Sequence, residues 1–185
     1  MNHEIHVNNH ITLALRHDED TDIFFALTNK NREELRRWLP WVDVTLTSDD
    51  IRKFLMRCQE QFAVKEAVEF GIKYDGEWVG SVGFHTVKQA HEWAEIGYWL
   101  DADYQGKGVM TESVKALMKY GFEELQLNRI QIRCDSLNIK SKAVPERLGY
   151  TLEGVVREDH KHEGTFSDGL IYGILKREWL HNKQL

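Results

Sequence analysis

The stretch E-I-G-Y-W-L-D-A-D-Y-Q-G-K-G-V-M-T-E-S, Glu95–Ser113, passes from an extended segment through two glycines around a lysine and into a helix-like run. At Gly106 and Gly108 the backbone can approach a ligand with no side chain in the way. A helix starting near Val109 offers unpaired N–H groups and the positive end of its dipole, so loop and helix together make an anion site. One such contact is worth only about 0.3–1 kcal/mol when exposed, so several amides must converge. The glycines alone would serve equally well for a tight turn.

The anion is best read as a phosphate, and the surrounding chain restricts its source. The pattern G-x-x-x-x-G-K-[ST] is absent, which excludes a P-loop. Gly106 and Gly108 match the first two positions of a dinucleotide-binding G-x-G-x-x-G, but Thr111 stands where the third glycine lets helix and sheet pack closely. The segments before the loop also read as antiparallel strands, and no second nucleotide-binding half follows.

Outward from the loop, the periodicity predicts a strand over 10–16, short helices over 18–29 and 32–39, and a stop at Pro40. Thr47, Ser48, Asp49 and Asp50 open a longer helix, whose apolar face is Ile51, Phe54, Leu55, Cys58 and Phe62. Strands over 68–74 and 78–85 flank the turn Asp75-Gly76, and 92–100 makes a third strand of an antiparallel meander. A helix over 109–122, a strand over 129–135, a helix over 139–148 and two closing strands over 150–160 and 166–175 complete the pattern. The expected fold class is mixed α/β: one domain over 1–185, with a mostly antiparallel central sheet and helices on both faces.

The chain has 185 residues, 42% of them hydrophobic, and a net charge of −6. That balance argues against direct nucleic-acid binding, which needs a dense basic face. The run R-E-E-L-R-R, Arg32–Arg37, mixes signs at helical spacing and reads as a solvated helix face. There is no apolar run long enough to cross a bilayer and no signal-peptide pattern at the N-terminus. Cys58 and Cys134 stand far apart, with no metal-ligand spacing, and read as small core residues in a reducing compartment. No metal is expected, and the expected localisation is cytoplasmic.

Glu95–Ser113 resembles the signature of the GNAT N-acetyltransferases, and within them the RimJ/RimL type that acts on ribosomal proteins. Three further segments agree, in the family's order: R-R-W-L-P-W (Arg36–Trp41), S-L-N-I-K-S-K-A-V-P-E-R-L-G-Y (Ser136–Tyr150), and L-E-G-V-V-R-E (Leu152–Glu158) with the stretch 168–179 after it. The resemblance covers nearly the whole chain. It implies acetyl-CoA as cosubstrate, with its pyrophosphate on the backbone of Gln105, Gly106, Lys107, Gly108, Val109, Met110 and Thr111. Lys107 either adds charge there or stands in solvent. The pantetheine arm would lie in a gap between the strands 92–100 and 129–135. Gly97 marks a place for a bulge, and a backbone N–H near Tyr98, Trp99 or Leu100 would then stabilise charge on the thioester oxygen. Asn138 would bond the pantetheine arm, cap its helix, or both, and Ser141 would lie near the sulfur. Pro145, four residues on, implies a kink or a late helix start.

The implied reaction is direct attack of an amine on the thioester. An α-amine has a pKa near 8 and a lysine near 10.4, so deprotonation at pH 7 costs roughly 1.4 and about 4.6 kcal/mol respectively. This favours an N-terminal acceptor. Candidate bases are Glu95, which opens the gap strand, and Glu158 and His160, two apart on one strand and so expected on one face. Water alone would also suffice. Trp38, Trp41 and Tyr98 are candidate walls of the acceptor pocket. Polyamines or aminoglycosides are alternative acceptors, and a CoA-binding module without catalysis is the alternative of another class. Oligomeric state is left open, a homo-oligomer included.

Overall fold

The computed structural model describes residues 3–162 and 164–182. In chain order the elements are β1 (Glu4–His6), β2 (Ile11–Leu15), α1 (Thr21–Lys30), α2 (Arg32–Leu35), α3 (Ser48–Ala63), β3 (Val68–Tyr74), β4 (Glu77–Lys88), β5 (Trp93–Leu100), α4 (Val109–Glu123), β6 (Arg129–Asp135), α5 (Ile139–Arg147), β7 (Thr151–His162), β8 (Thr165–Leu175) and α6 (Lys176–Asn182). The described strands form one sheet in the order β1-β2-β3-β4-β5-β6-β8-β7. Every neighbouring pair is antiparallel except β5 and β6.

Local chemistry explains most of the elements. Asp75 and Gly76 both take positive φ, 49° and 88°, the pair of values a two-residue hairpin between twisted strands requires. Thr47 caps α3: its hydroxyl accepts from the Asp50 N–H at 3.3 Å, and Asp50 returns the bond to the Thr47 N–H at 2.8 Å. The expected second helix ends at Leu35, short of Leu39, and Pro40 begins a separate 3₁₀ turn over Pro40–Asp43. Within R-E-E-L-R-R, Arg36 and Arg37 stand exposed, whereas Arg32 donates to the Val42 and Thr45 carbonyls and ties that turn down.

Two apolar layers cover the sheet. On one face α4 buries Val109, Val114, Leu117, Met118 and Phe122 against Phe84, Ile96, Ile130 and Ile132, each side chain worth about 1.5–3 kcal/mol of transfer free energy. On the other, Phe24 of α1 and Ile51 and Leu55 of α3 pack with Trp78 and Trp99. Cys58 and Cys134 are buried free thiols, and burial raises each to about 11. No helix among the described residues is long and apolar enough to cross a membrane.

The sheet opens in the middle. Trp93–Ile96 of β5 pair with Arg129–Ile132 of β6, and there the ladder stops. From Gly97 onward β5 pairs within the sheet only with β4, while Arg133–Asp135 of β6 pair only with β8. The chain leaving β5 is held by α1. Lys30 Nζ donates to Asp101 Oδ2 at 2.7 Å, and the Ala102 N–H donates to Asn31 Oδ1 at 3.0 Å.

Candidate active site

A cleft of about 1300 Å³ runs from the head of α4, past the opening between β5 and β6, to the aromatic side chains of α1–α3. At its first end Gly106 and Gly108 have φ of +73° and +78°, values that β-carbon-bearing residues adopt only with strain. A Cβ placed on either would meet nothing within 4 Å, so the bare backbone faces open space. Gly108 is the N-cap of α4, and no side chain caps the helix. Its first-turn N–H groups therefore remain available to a ligand. Positive charge comes from α5 across the loop, where Lys140 Nζ donates to Gln105 Oε1 at 2.7 Å and Arg147 Nη1 to Thr111 Oγ1 at 3.4 Å. The reading of the sequence missed both. Their spacing of seven on one helix face was its available signal. Lys107 turns back over the Tyr104 ring at 5.1 Å and does not line the cleft.

At the opening, Gly97, Tyr98, Trp99 and Leu100 form one wall and Cys134 and Asp135 the other, with Asn138 and Ser141 beside them. Gly97 is not a bulge: it pairs in register with Gly83. The irregularity lies in the partner strand, between Phe84 and Thr86, with His85 as the extra residue. Asn138 caps α5, its Oδ1 accepting from the Ser141 N–H at 3.1 Å. This leaves its amide N–H groups for another acceptor. The helix starts directly after this cap, so the late start expected from Pro145 does not occur. The Tyr98 hydroxyl donates to the Ser141 carbonyl at 2.9 Å and accepts from Ser141 Oγ at 3.2 Å. Burial raises the Tyr98 phenol well above its ordinary range, so it is a proton-bearing donor at neutral pH.

At the far end lie Trp38 and Trp41. Trp41 approaches the Trp99 ring at 6.4 Å and Trp38 meets His162 edge-on at 5.3 Å. His162 in turn bonds Asp135 Oδ2 at 2.5 Å, the oxygen that also accepts from Ser167 Oγ at 2.6 Å. Burial pushes the Asp135 carboxyl up. The bonds from Ser167, the Leu137 N–H and His162 outweigh it and hold Asp135 below the usual carboxylate value.

The candidate bases separate. His160 lines the cleft, but Glu158 does not. A register shift between Val156 and His160, with Glu158 at φ +55°, breaks the alternation that would have put both on one face. Glu158 instead borders a separate depression with Arg157 and Asp168. Glu95 does not line the cleft either. Its two oxygens are taken by His85 Nε2 at 3.2 Å and Gln131 Nε2 at 2.5 Å. His85 does line it, a residue that nothing in the local pattern of β4 singled out.

A family model described as "Acetyltransferase (GNAT) domain" matches residues 10–151. The chain belongs to the GNAT acetyltransferases. "Putative ribosomal N-acetyltransferase YdaF" of Bacillus subtilis is 37% identical over 94% of this chain and 95% of its own. Among solved structures, a RimL ribosomal L7/L12 α-N-protein acetyltransferase in complex with coenzyme A aligns with a TM-score of 0.90 at 26% identity, covering 94% of this chain and 98% of that one. The microcin C7 self-immunity acetyltransferase MccE, in complex with acetyl-CoA and AMP, aligns at 0.85 and 30% identity over 91% of this chain and 94% of that one. As a GNAT acetyltransferase the protein takes acetyl-CoA as its cosubstrate, and the left-handed glycine loop, uncapped α4 and open β5–β6 gap suit that ligand.

Proposed function

We propose that the protein, acting as one catalytic domain over 1–185, acetylates the N-terminal α-amine of a protein, with a ribosomal protein as the acceptor its relatives suggest. The carrying observation is the shape of the cleft. It continues beyond the β5–β6 opening to a mouth walled by Trp38 and Trp41, which suits an extended peptide end delivered amine first. The α-N-protein activity of the RimL relative supports the same reading.

In this reading the diphosphate of acetyl-CoA rests on the N–H groups of 105–111, with Lys140 and Arg147 supplying countercharge. Asn138 donates to the pantetheine arm through Nδ2. An unpaired β5 amide near Tyr98 or Trp99 takes the thioester oxygen as negative charge develops on it. Ser141 Oγ turns from Tyr98 toward the sulfur, and the tyrosine stays to hold the helix turn. The departing thiolate, with a pKa near 8.5, needs little further help.

The test is mass spectrometry of protein N-termini in cells with and without the gene, followed by thiol release from acetyl-CoA with purified enzyme and matching peptides. Loss of acetylation at defined N-termini, restored by the enzyme in vitro, supports the reading. Acetylation confined to small amines, or acetyl-CoA binding that no amine turns into thiol release, contradicts it.

A further inference from the structure

We infer that His85 is the base that takes the proton of the acceptor amine, and that Glu95, Gln131 and Arg129 are positioning residues that aim it. This needs acetyl transfer to an amine but not the α-amine reading.

The geometry rests on two irregularities that meet at one point. The bulge in β4 leaves His85 without a ladder partner, on the sheet face that carries Glu95, Gly97 and Trp99. Gly97 is also the first residue of β5 past the end of the β5–β6 ladder. A Cβ on Gly97 would sit 3.0 Å from His85 Nδ1, so the imidazole lies directly over the residue where the gap opens. Its other nitrogen, Nε2, bonds Glu95 at 3.2 Å. A carboxylate accepts, so the neutral ring carries its proton on Nε2 and leaves the Nδ1 lone pair on the side of Gly97, in the wall of the cleft.

A chain of bonds across the sheet fixes the carboxylate. Gln131 on β6 donates to Glu95, Arg129 Nη2 donates to Gln131 Oε1 at 3.1 Å, and Arg129 is itself paired with Glu153 on β7. Four strands thus hold one imidazole at the end of the ladder. This is the side of the proposed acceptor mouth: Trp99 packs toward Phe24 and Trp41 on the face of α1–α3. His160 also lines the cleft, but its nearest acid is Asp159 at 3.7 Å, beyond a hydrogen bond, so nothing comparable aims it.

The titratable and charged groups around His85 are Glu69 of β3, Glu95 of β5 and, along the cleft, Arg133 of β6 and His160 of β7. The bond to Glu95 raises His85 above the ordinary histidine value, against burial, which lowers it, and Glu69 adds to the rise. A base in this range suits operation near neutrality. The step balances. The acceptor ammonium gives one proton to Nδ1. The neutral nitrogen attacks the thioester carbon, the C–N bond forms, and the C–S bond breaks with its electron pair leaving on sulfur. The second nitrogen proton passes to the thiolate, and His85 returns its own proton to solvent through its exposed edge.

Two measurements decide the matter. Nitrogen-15 NMR of the histidine rings, with and without CoA, reads tautomer and titration whatever the acceptor proves to be. We expect neutral His85 to be the Nε2–H tautomer, titrating above 6.5, with the titration moving to lower pH in Glu95→Gln. An Nδ1–H tautomer, or a titration indifferent to Glu95, overturns the proposal. With an N-terminal peptide that supports thiol release, His85→Asn should lower kcat about 10²–10³-fold with little change in acetyl-CoA KM, and imidazole should restore part of the rate to His85→Ala. The acid limb of the kcat profile assigned to His85 should vanish in His85→Asn, leaving only that of the acceptor amine. Near-wild-type kcat with an unchanged limb in His85→Asn overturns it. A panel of peptides that all fail, with the NMR result as expected, counts against the α-amine reading and leaves the His85 assignment supported.

Discussion

Pro145 lacks the N–H that would bond the Ser141 carbonyl one turn earlier in α5, and the Tyr98 hydroxyl takes that carbonyl at 2.9 Å. A proline inside a helix thus becomes the reason a strand residue grips the helix at the proposed sulfur site. Tyr98→Phe should lose about 1 kcal/mol of stability, because the Ser141 carbonyl is left without a partner. In a Pro145→Ala background the loss should shrink by about 0.5 kcal/mol or more, since the introduced alanine supplies the missing N–H. Urea unfolding of the four proteins of this cycle measures the coupling, and strict additivity would remove the connection.

The glycine loop invites a substitution that adds a side chain without adding a clash. Gly108→Ala places its Cβ in open space but at φ +78°. The strain is about 1–2 kcal/mol, a fall in Tm of roughly 2–8 °C for a chain of this size. The methyl also stands where a diphosphate would approach the backbone. CoA affinity measured by calorimetry should fall about tenfold or more, or ~1.4 kcal/mol. Unchanged affinity would argue that the ligand does not touch this turn.

Asp135 gives a prediction in pH. Its folded pKa is depressed, so its contribution is fully present above the unfolded value near 3.9 and is lost as pH falls through the lower folded value. Asp135→Asn should cost about 1–3 kcal/mol at neutral pH, because two hydrogen bonds to a charged oxygen are weakened. The gap between wild type and variant should close as pH falls below about 4. A gap that widens below about pH 4 would reverse the sign of the assignment.

Trp38 and Trp41 separate the two ends of the cleft. Trp41→Ala removes the face turned to Trp99 without touching the loop at 105–111. Acceptor KM should rise about tenfold, with the acetyl-CoA KM unchanged. An equal rise in both would show that this wall belongs to the cosubstrate.

The features legible in the sequence are those set by short-range chemistry. The Asp75-Gly76 hairpin, the Thr47–Asp50 cap and the loop before α4 each depend on a few adjacent residues, and each forms where expected. The features that escaped depend on how strands meet. Alternation placed Glu158 beside His160, but the irregular stretch of β7 before His160 turns Glu158 away. The glycine at 97 suggested a bulge in β5, whereas the extra residue lies opposite, at His85, and Gly97 gives that ring room. Glu95 was visible as an acid on the gap strand, but its oxygens are committed to His85 and Gln131, partners on different strands. Asn138 was legible as a helix cap because capping depends on the few residues that follow it.

The central claim is that the gap beginning at Gly97 receives the thioester end of acetyl-CoA while the head of α4 holds its diphosphate. A crystal structure of the complex tests it most directly. The account predicts phosphate oxygens on the backbone amides of 105–111, the pantetheine arm between Gly97–Leu100 and Arg133–Asp135, and the sulfur beside Ser141. A diphosphate bound elsewhere, or the two strands closed into a continuous ladder beside an excluded pantetheine, would contradict it.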